Sequence, residues 1–81
     1  MKLLFAEDEK SLSKAVSAIL TKNNYVVDAV YDGQDALDYL ETGDYDAAIL
    51  DIMMPKMDGY QFTETLRKTN NELPILMVSA K

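Results

Sequence analysis

Short apolar runs alternate along the chain with longer segments whose apolar residues recur every three or four positions. The short runs are rich in aliphatic and β-branched residues, which predicts strands. The longer segments each carry one apolar face, which predicts helices. The predicted strands comprise residues 2–6, 25–30, 46–50 and 74–79, and the predicted helices lie within residues 11–24, 34–43 and 59–71. Such alternation is typical of a parallel sheet covered by helices and joined by right-handed crossovers.

The apolar positions of each predicted helix indicate which face packs on the sheet. In the first helix the expected apolar face comprises Leu12, Ala15, Val16, Ile19 and Leu20, and the polar face comprises Ser11, Lys14, Ser17 and Lys22. In the second and third helices the expected apolar residues are Ala36, Leu37, Leu40, Tyr60, Phe62 and Leu66. Asn23-Asn24 and Gly43 are expected to end the first two helices.

Composition narrows the function classes that the chain can belong to. Its 81 residues suffice for one small domain, and they include neither cysteine nor histidine. This excludes disulfides, thiolate metal sites and histidine-based catalysis within the chain. The net charge of −6 should repel phosphate backbones, so we expect no nucleic acid contact. No apolar run is as long as a membrane span or a signal-peptide core, so we expect a cytoplasmic protein with no membrane contact.

Acidic residues follow two of the predicted strands. Glu7, Asp8 and Glu9 come after the first strand, and Asp51 ends the third. Because ligands bind at the carboxyl ends of parallel strands, these groups are expected to meet at one edge of the sheet. Mutual repulsion would disfavour such a cluster unless it held a hard divalent cation such as Mg²⁺. Acids near a helix start can also simply complement the helix dipole, which is the reading we prefer for Glu9.

Asp51 occupies the position that is best suited to a chemical reaction. A carboxylate at the rigid end of a buried strand can act as a nucleophile and form an aspartyl-phosphate. A bound cation would neutralise charge on the incoming phosphoryl group, and the hydroxyl of Ser79 could contact a phosphoryl oxygen. The backbone carbonyl of Met53 is a further candidate metal ligand. An ordinary strand-end serine remains the alternative for Ser79 taken alone.

Three segments, "LLFAEDE", "DAAILDIMMPKMDG" and "PILMVSA", together resemble the receiver domain of two-component response regulators. The resemblance is ordered, correctly spaced and covers the whole chain. It implies a flavodoxin-like α/β fold with three layers, in which the complete family sheet has the order 2-1-3-4-5. The chain ends after the fourth predicted strand, so we expect residues 1–81 to form a partial receiver domain of order 2-1-3-4. The fourth helix, fifth strand and fifth helix of the family would be lacking.

The resemblance also implies roles for individual residues. Asp51 would accept a phosphoryl group from a phosphohistidine on a sensor histidine kinase. Ser79 would close on that group as the signalling movement, assisted by the backbone amide of Ala80. The implied Mg²⁺ ligands are Glu7, Asp8, Asp51 and the Met53 carbonyl. Lys81 does not match the family's lysine at the end of strand five, so that role is not assigned to it.

Two other functions compete with the hypothesis of a phosphoacceptor domain. A flavin-binding half-domain is disfavoured because "AEDEKS" is acidic where a flavin phosphate would sit. A self-associating fragment with little or no phosphotransfer activity remains the alternative. With either function, the lack of a fifth strand would make the fourth strand an uncharged edge that invites another chain, so we expect a homo-oligomer. The residues expected at its interface are Ile75, Leu76, Met77 and Val78.

Overall fold

A computed structural model of the chain describes residues 1–51, 54, 59–69 and 72–78. Within these residues the chain forms strands and helices in the alternating order that the sequence predicts. The strands are β1 (Lys2–Ala6), β2 (Val26–Val30), β3 (Ala47–Asp51) and β4 (Ile75–Val78). The helices are α1 (Lys10–Lys22), α2 (Gly33–Thr42) and α3 (Gly59–Thr69). Among the described residues, no helix is both long enough and apolar enough to cross a bilayer.

All the strands pair in parallel, in the order β2-β1-β3-β4. β1 is central, with Leu4 opposite Asp28 of β2 and opposite Ala48 of β3. α2 and α3 cover one face of the sheet, and α1 packs against β1 and β2 on the other. The result is the three-layer, flavodoxin-like arrangement that was expected, with the strand order confirmed.

The main core lies between the sheet and the α2–α3 layer. Leu4 and Leu50 are fully buried there. Every second residue of β1 and β3 lies on this face, because successive strand residues point to opposite sides of the sheet. The helices contribute Ala36, Leu40, Phe62 and Leu66, as their apolar spacing predicted. β1 is buried almost without interruption because both of its faces are covered. Met54 also packs into this core.

α1 is rotated relative to the face that the sequence predicted. Ala15 is exposed and Ile19 is 61% exposed, whereas Ser13 and the hydroxyl of Ser17 are buried. Leu12, Val16 and Leu20 of the predicted face are partly buried, so the buried side of the helix combines part of that face with the two serines. Tyr60 was also placed wrongly, since it is 91% exposed at the start of α3.

Both ends of α2 have a local physical cause. At its start, Asp32 Oδ1 accepts a hydrogen bond of 2.8 Å from the amide of Asp35, which satisfies one otherwise unpaired helix donor. At its end, Gly43 is the C-cap, as predicted. A Cβ at Gly43 would lie 2.7 Å from the Tyr39 carbonyl oxygen and would collide with the Tyr45 ring. The φ of −95° at Gly43 suits any residue. Glycine is therefore required at this position because a side chain would have no room, and not because of the backbone conformation.

Tyr45 ties the edge strand β2 to the segment that precedes β3. Its hydroxyl donates a 2.6 Å hydrogen bond to Asp28 Oδ2, and the Lys2 ammonium lies 4.9 Å from its ring centroid. Burial and the bond to Asp28 both raise the pKa of the Tyr45 hydroxyl, so it stays protonated as a donor. This contact explains why a charged residue is tolerated within β2.

β4 leaves apolar side chains open to solvent. In the part of the chain that the structure describes, β4 pairs with β3 alone. Leu76 is 59% exposed and Met77 is also exposed. Beside them is a cleft of about 340 Å³ on the α1 side of the sheet, lined by Met1, Leu3, Leu20, Tyr25, Ala47, Ala48, Ile49, Pro74, Ile75 and Leu76.

Replacing Gly43 with alanine should lower the free energy of unfolding by about 1–3 kcal/mol, because the new methyl group must displace the Tyr45 ring or the helix end. Urea denaturation followed by circular dichroism measures the change. Asp44→Ala, at the exposed next position, is the matched control and should have little effect. Equal stability of the two variants would contradict the proposed crowding at Gly43.

Candidate metal and phosphoacceptor site

The pairing of β1 with β3 brings two carboxylates side by side. Ala6 is opposite Leu50 in the parallel register, so the next residues, Glu7 and Asp51, are neighbours at the carboxyl edge of the sheet. Asp51 is the last residue of β3 and is paired on its other side with Val78 of β4. The Glu7 amide donates a 3.1 Å hydrogen bond to the Val30 carbonyl of β2. Backbone pairing on both sides therefore holds both residues in position.

Glu7, Asp8 and Asp51, called here the acidic triad, converge in this structure. One carboxylate oxygen from each residue lies within 4.8 Å of the other two. Glu7 and Asp51 are each only 1% exposed, whereas Asp8 is partly exposed. Two buried acids thus form the floor of the cluster, and the third opens toward solvent.

Burial changes the protonation of Glu7. The pKa of its carboxyl is raised from 4.5 to about 7, first by desolvation and then by hydrogen bonds with the carboxyls of Asp51 and Asp8. The Glu9 amide, which donates to Glu7 Oε2 at 3.2 Å, opposes this shift by favouring the charged form. Glu7 therefore holds its proton more tightly than a solvent-exposed glutamate does.

The donor set of the triad fits a hard divalent cation. It offers only carboxylate oxygens, gathered from β1 and β3, which are the ligands that Mg²⁺ accepts in proteins. A cation there would favour the charged form of Glu7, which desolvation by burial disfavours. The sequence-based expectation that these three residues meet is thus met by the geometry, while their binding of Mg²⁺ stays a prediction.

Other predicted site residues fall outside the described part of the chain. These are Met53, Ser79 and Ala80. Glu9 is the N-cap residue of α1, and its side chain makes no capping hydrogen bond. Sequence reasoning missed one contact of the residue that follows Glu9, where the Lys10 ammonium lies 5.4 Å from the Tyr31 ring centroid. The position of Lys10 directly after three acids was the available signal.

The whole of this arrangement matches a known family. Residues 3–81 match the response regulator receiver domain. The chain is 44% identical over 81 residues to the transcriptional regulatory protein DltR of Streptococcus agalactiae. That alignment covers 100% of this chain and 36% of DltR, so the chain spans little more than a third of this curated relative.

Solved structures show the same fold. The response regulator TrrA of Thermotoga maritima, in complex with Mg²⁺ and BeF, aligns with a TM-score of 0.90 and 29% identity, over 99% of this chain and 70% of TrrA. TrrA in complex with the histidine kinase ThkA aligns with a TM-score of 0.88 and 29% identity, over 98% of this chain and 68% of TrrA. The chain belongs to the receiver domains of two-component response regulators.

The stability of the metal-free protein should fall as the pH rises from about 4.5 to about 7. The folded state holds the Glu7 proton more tightly than the unfolded chain does, so this contribution is complete below pH 4.5 and is lost through the raised pKa. The loss should be about 2–3 kcal/mol, since one pKa unit is worth about 1.4 kcal/mol. Urea denaturation in the presence of a chelator measures it.

Glu7→Gln should flatten this pH dependence, because glutamine does not titrate. Glu9→Gln is the matched control at an exposed position two residues away, and it should keep the dependence of the native chain. If Glu7→Gln and the native chain lose stability equally over this pH range, the protonation of Glu7 does not control it.

Proposed function

We propose that this chain accepts a phosphoryl group on Asp51 from a phosphohistidine of a sensor histidine kinase, with Mg²⁺ held by the acidic triad. The observation that carries the proposal is the convergence of three carboxylates from β1 and β3 within 4.8 Å at the carboxyl edge of a receiver sheet. Membership of the receiver family supports it, and TrrA provides family precedents for both a Mg²⁺–BeF complex and a kinase complex. A cytoplasmic location is proposed on the same ground.

In this proposal Asp51 is the nucleophile. Its backbone is held between β1 and β4, so its carboxylate needs little reorganisation before attack. One carboxylate oxygen forms a bond to phosphorus as the bond from phosphorus to the donor nitrogen breaks, and the imidazole leaves as the acceptor of that electron pair. Mg²⁺ bound at the triad would offset the charge that gathers between the phosphoryl oxygens and the carboxylates.

Glu7 and Asp8 have a different role from Asp51. They lie beside it, in the two positions that directly follow β1, and would hold the cation in place without reacting. Because burial raises the pKa of Glu7, a cation bound nearby would favour its charged form. This arrangement couples cation binding to the ionised state of the triad that phosphoryl transfer requires.

The remaining roles rest on the family resemblance. We propose that the Met53 carbonyl completes the metal site, that Ser79 contacts the phosphoryl group and signals its presence, and that the Ala80 amide assists. Residues 1–81 would act as part of a receiver domain, consistent with their alignment to 70% of the TrrA chain.

Incubation with acetyl phosphate and Mg²⁺ should add one phosphoryl group to the native chain, detected as an increase in intact mass. Asp51→Asn should abolish the addition because the amide is a poor nucleophile, and a chelator should suppress it in the native chain. Asp46→Asn, an exposed acid just before the same strand, is the matched control and should still be labelled. Persistent labelling of Asp51→Asn would place the acceptor elsewhere.

We also propose that the 81-residue chain forms homo-oligomers through β4. Leu76 and Met77 are exposed on this strand, and the cleft beside them is lined by apolar side chains. The opposite edge strand, β2, carries Asp28 and is tied down by Tyr45, which disfavours pairing there. The uncharged run Ile75–Val78 is the more suitable edge for a second copy.

Sedimentation velocity at increasing concentration should therefore show a dimer or a larger oligomer. Leu76→Lys should shift the chain toward monomer, because a charge would be buried in the contact. Ile19→Lys changes a similarly exposed apolar residue on α1 and should leave the association intact. A compact, cooperatively melting monomer at high concentration would contradict this proposal.

A further inference from the structure

Lys10 and Tyr31 form a cation–aromatic pair, and each directly follows a residue that is hydrogen-bonded to Glu7 of the acidic triad. Lys10 is the first residue of α1, and its ammonium lies 5.4 Å from the ring centroid of Tyr31, which directly follows β2. The residue before Tyr31 accepts a hydrogen bond from the Glu7 amide, and the residue before Lys10 donates one to the Glu7 carboxylate. Each member of the pair is therefore the next residue in the chain after one that is hydrogen-bonded to Glu7.

Helix stability does not explain a lysine at this position. The first turn of a helix carries partial positive charge, so a cation there is electrostatically unfavourable. The first turn of α1 contains no acidic residue, and its N-cap makes no side-chain hydrogen bond. The ring of Tyr31 instead supplies a favourable partner for the ammonium and restricts the positions that it takes.

The net charge of the chain and the triad itself both disfavour the approach of an anionic donor. The chain carries a net charge of −6, and the triad concentrates negative charge at the point where a phosphoryl group must approach. The other cations in the described ranges lie further along α1, in the last turns of α1 and α3, or against Tyr45. They are Lys14, Lys22, Arg67, Lys68 and Lys2.

We propose that Lys10, held over Tyr31, determines how well strongly anionic phosphodonors are used at the acidic triad. This inference rests on the proposed function of Asp51. Lys10 makes no bond to the reacting atoms: its charge lowers the repulsion that a donor meets on approach, and Tyr31 is the positioning residue that keeps the charge there. The same charge should weaken Mg²⁺ binding, because it also repels a cation.

The test compares Lys10→Met with Lys14→Met, which removes the same charge one turn further along α1. With acetyl phosphate, Lys10→Met should raise the half-saturating donor concentration about two- to fourfold and leave the maximal rate unchanged, as expected for loss of one partly screened charge. Phosphoramidate, whose ammonium offsets part of its phosphoryl charge, should show a smaller change. High ionic strength should reduce the difference for both donors.

Conservative variants separate an electrostatic role from a structural one. Lys10→Arg should behave as the native chain, because it keeps the charge and stacks on an aromatic ring. Tyr31→Phe should also be unchanged, whereas Tyr31→Leu should raise the half-saturating acetyl phosphate concentration in the same direction as Lys10→Met. The double variant Lys10→Met with Tyr31→Leu should show no further increase, since both changes act through one interaction.

Mg²⁺ titration followed by thermal denaturation gives an independent readout. Lys10→Met should lower the half-saturating Mg²⁺ concentration while it raises that of acetyl phosphate, an opposition that general destabilisation would not produce. If Lys10→Met and Lys14→Met behave alike while Asp51 of the native chain is labelled, this inference is wrong and the proposed function stands. If the native chain is not labelled at Asp51, the proposed function fails and the inference fails with it.

Discussion

The parallel pairing of β1 with β3 is the constraint on which the rest of this protein depends. Its register, with Ala6 opposite Leu50, places Glu7 beside Asp51 at the carboxyl edge of the sheet. A shift by one residue would send one of these carboxylates to the opposite face, because side chains alternate along a strand. The buried core around Leu4 and Leu50 prevents that shift, since it would also expose these residues. The packing of the core thus determines the geometry of the site.

The acidic triad is a local conflict within an otherwise well-packed sheet. Glu7 and Asp51 are as inaccessible to solvent as the core leucines, yet both are acids, and the pKa of Glu7 rises in consequence. A fold selected for stability alone would place apolar residues at these positions. Functional sites are the places where such conflicts are expected, because the unfavourable interactions are relieved when the ligand binds.

The two edges of the sheet are built differently. β2 carries Asp28, whose carboxylate accepts a hydrogen bond from the Tyr45 hydroxyl. The Lys2 ammonium lies over the Tyr45 ring, and the lack of a side chain at Gly43 leaves room for that ring. β4 exposes Leu76 and Met77 beside an apolar cleft. α1 covers β1 and β2, so the sheet face near β3 and β4 has less cover from the described helices. Among the described strands, β2 and β4 lie on opposite sides of the acidic triad, which is located at the ends of β1 and β3.

The amino-acid sequence by itself determined the order of elements and the identity of the three clustered acids, because apolar runs end at Ala6 and Leu50 and acids follow both. The strand order was implied by the resemblance of three segments to receiver domains and not by these short-range patterns. Only the tertiary structure decided which side of α1 faces the sheet, where it buried Ser13 and exposed Ile19. It also decided the contacts of Tyr45 with Asp28 and of Lys10 with Tyr31, and the burial that raises the pKa of Glu7. Such features depend on residues far apart in the chain and on the volume available between layers, and the spacing of residues along one segment does not contain that information.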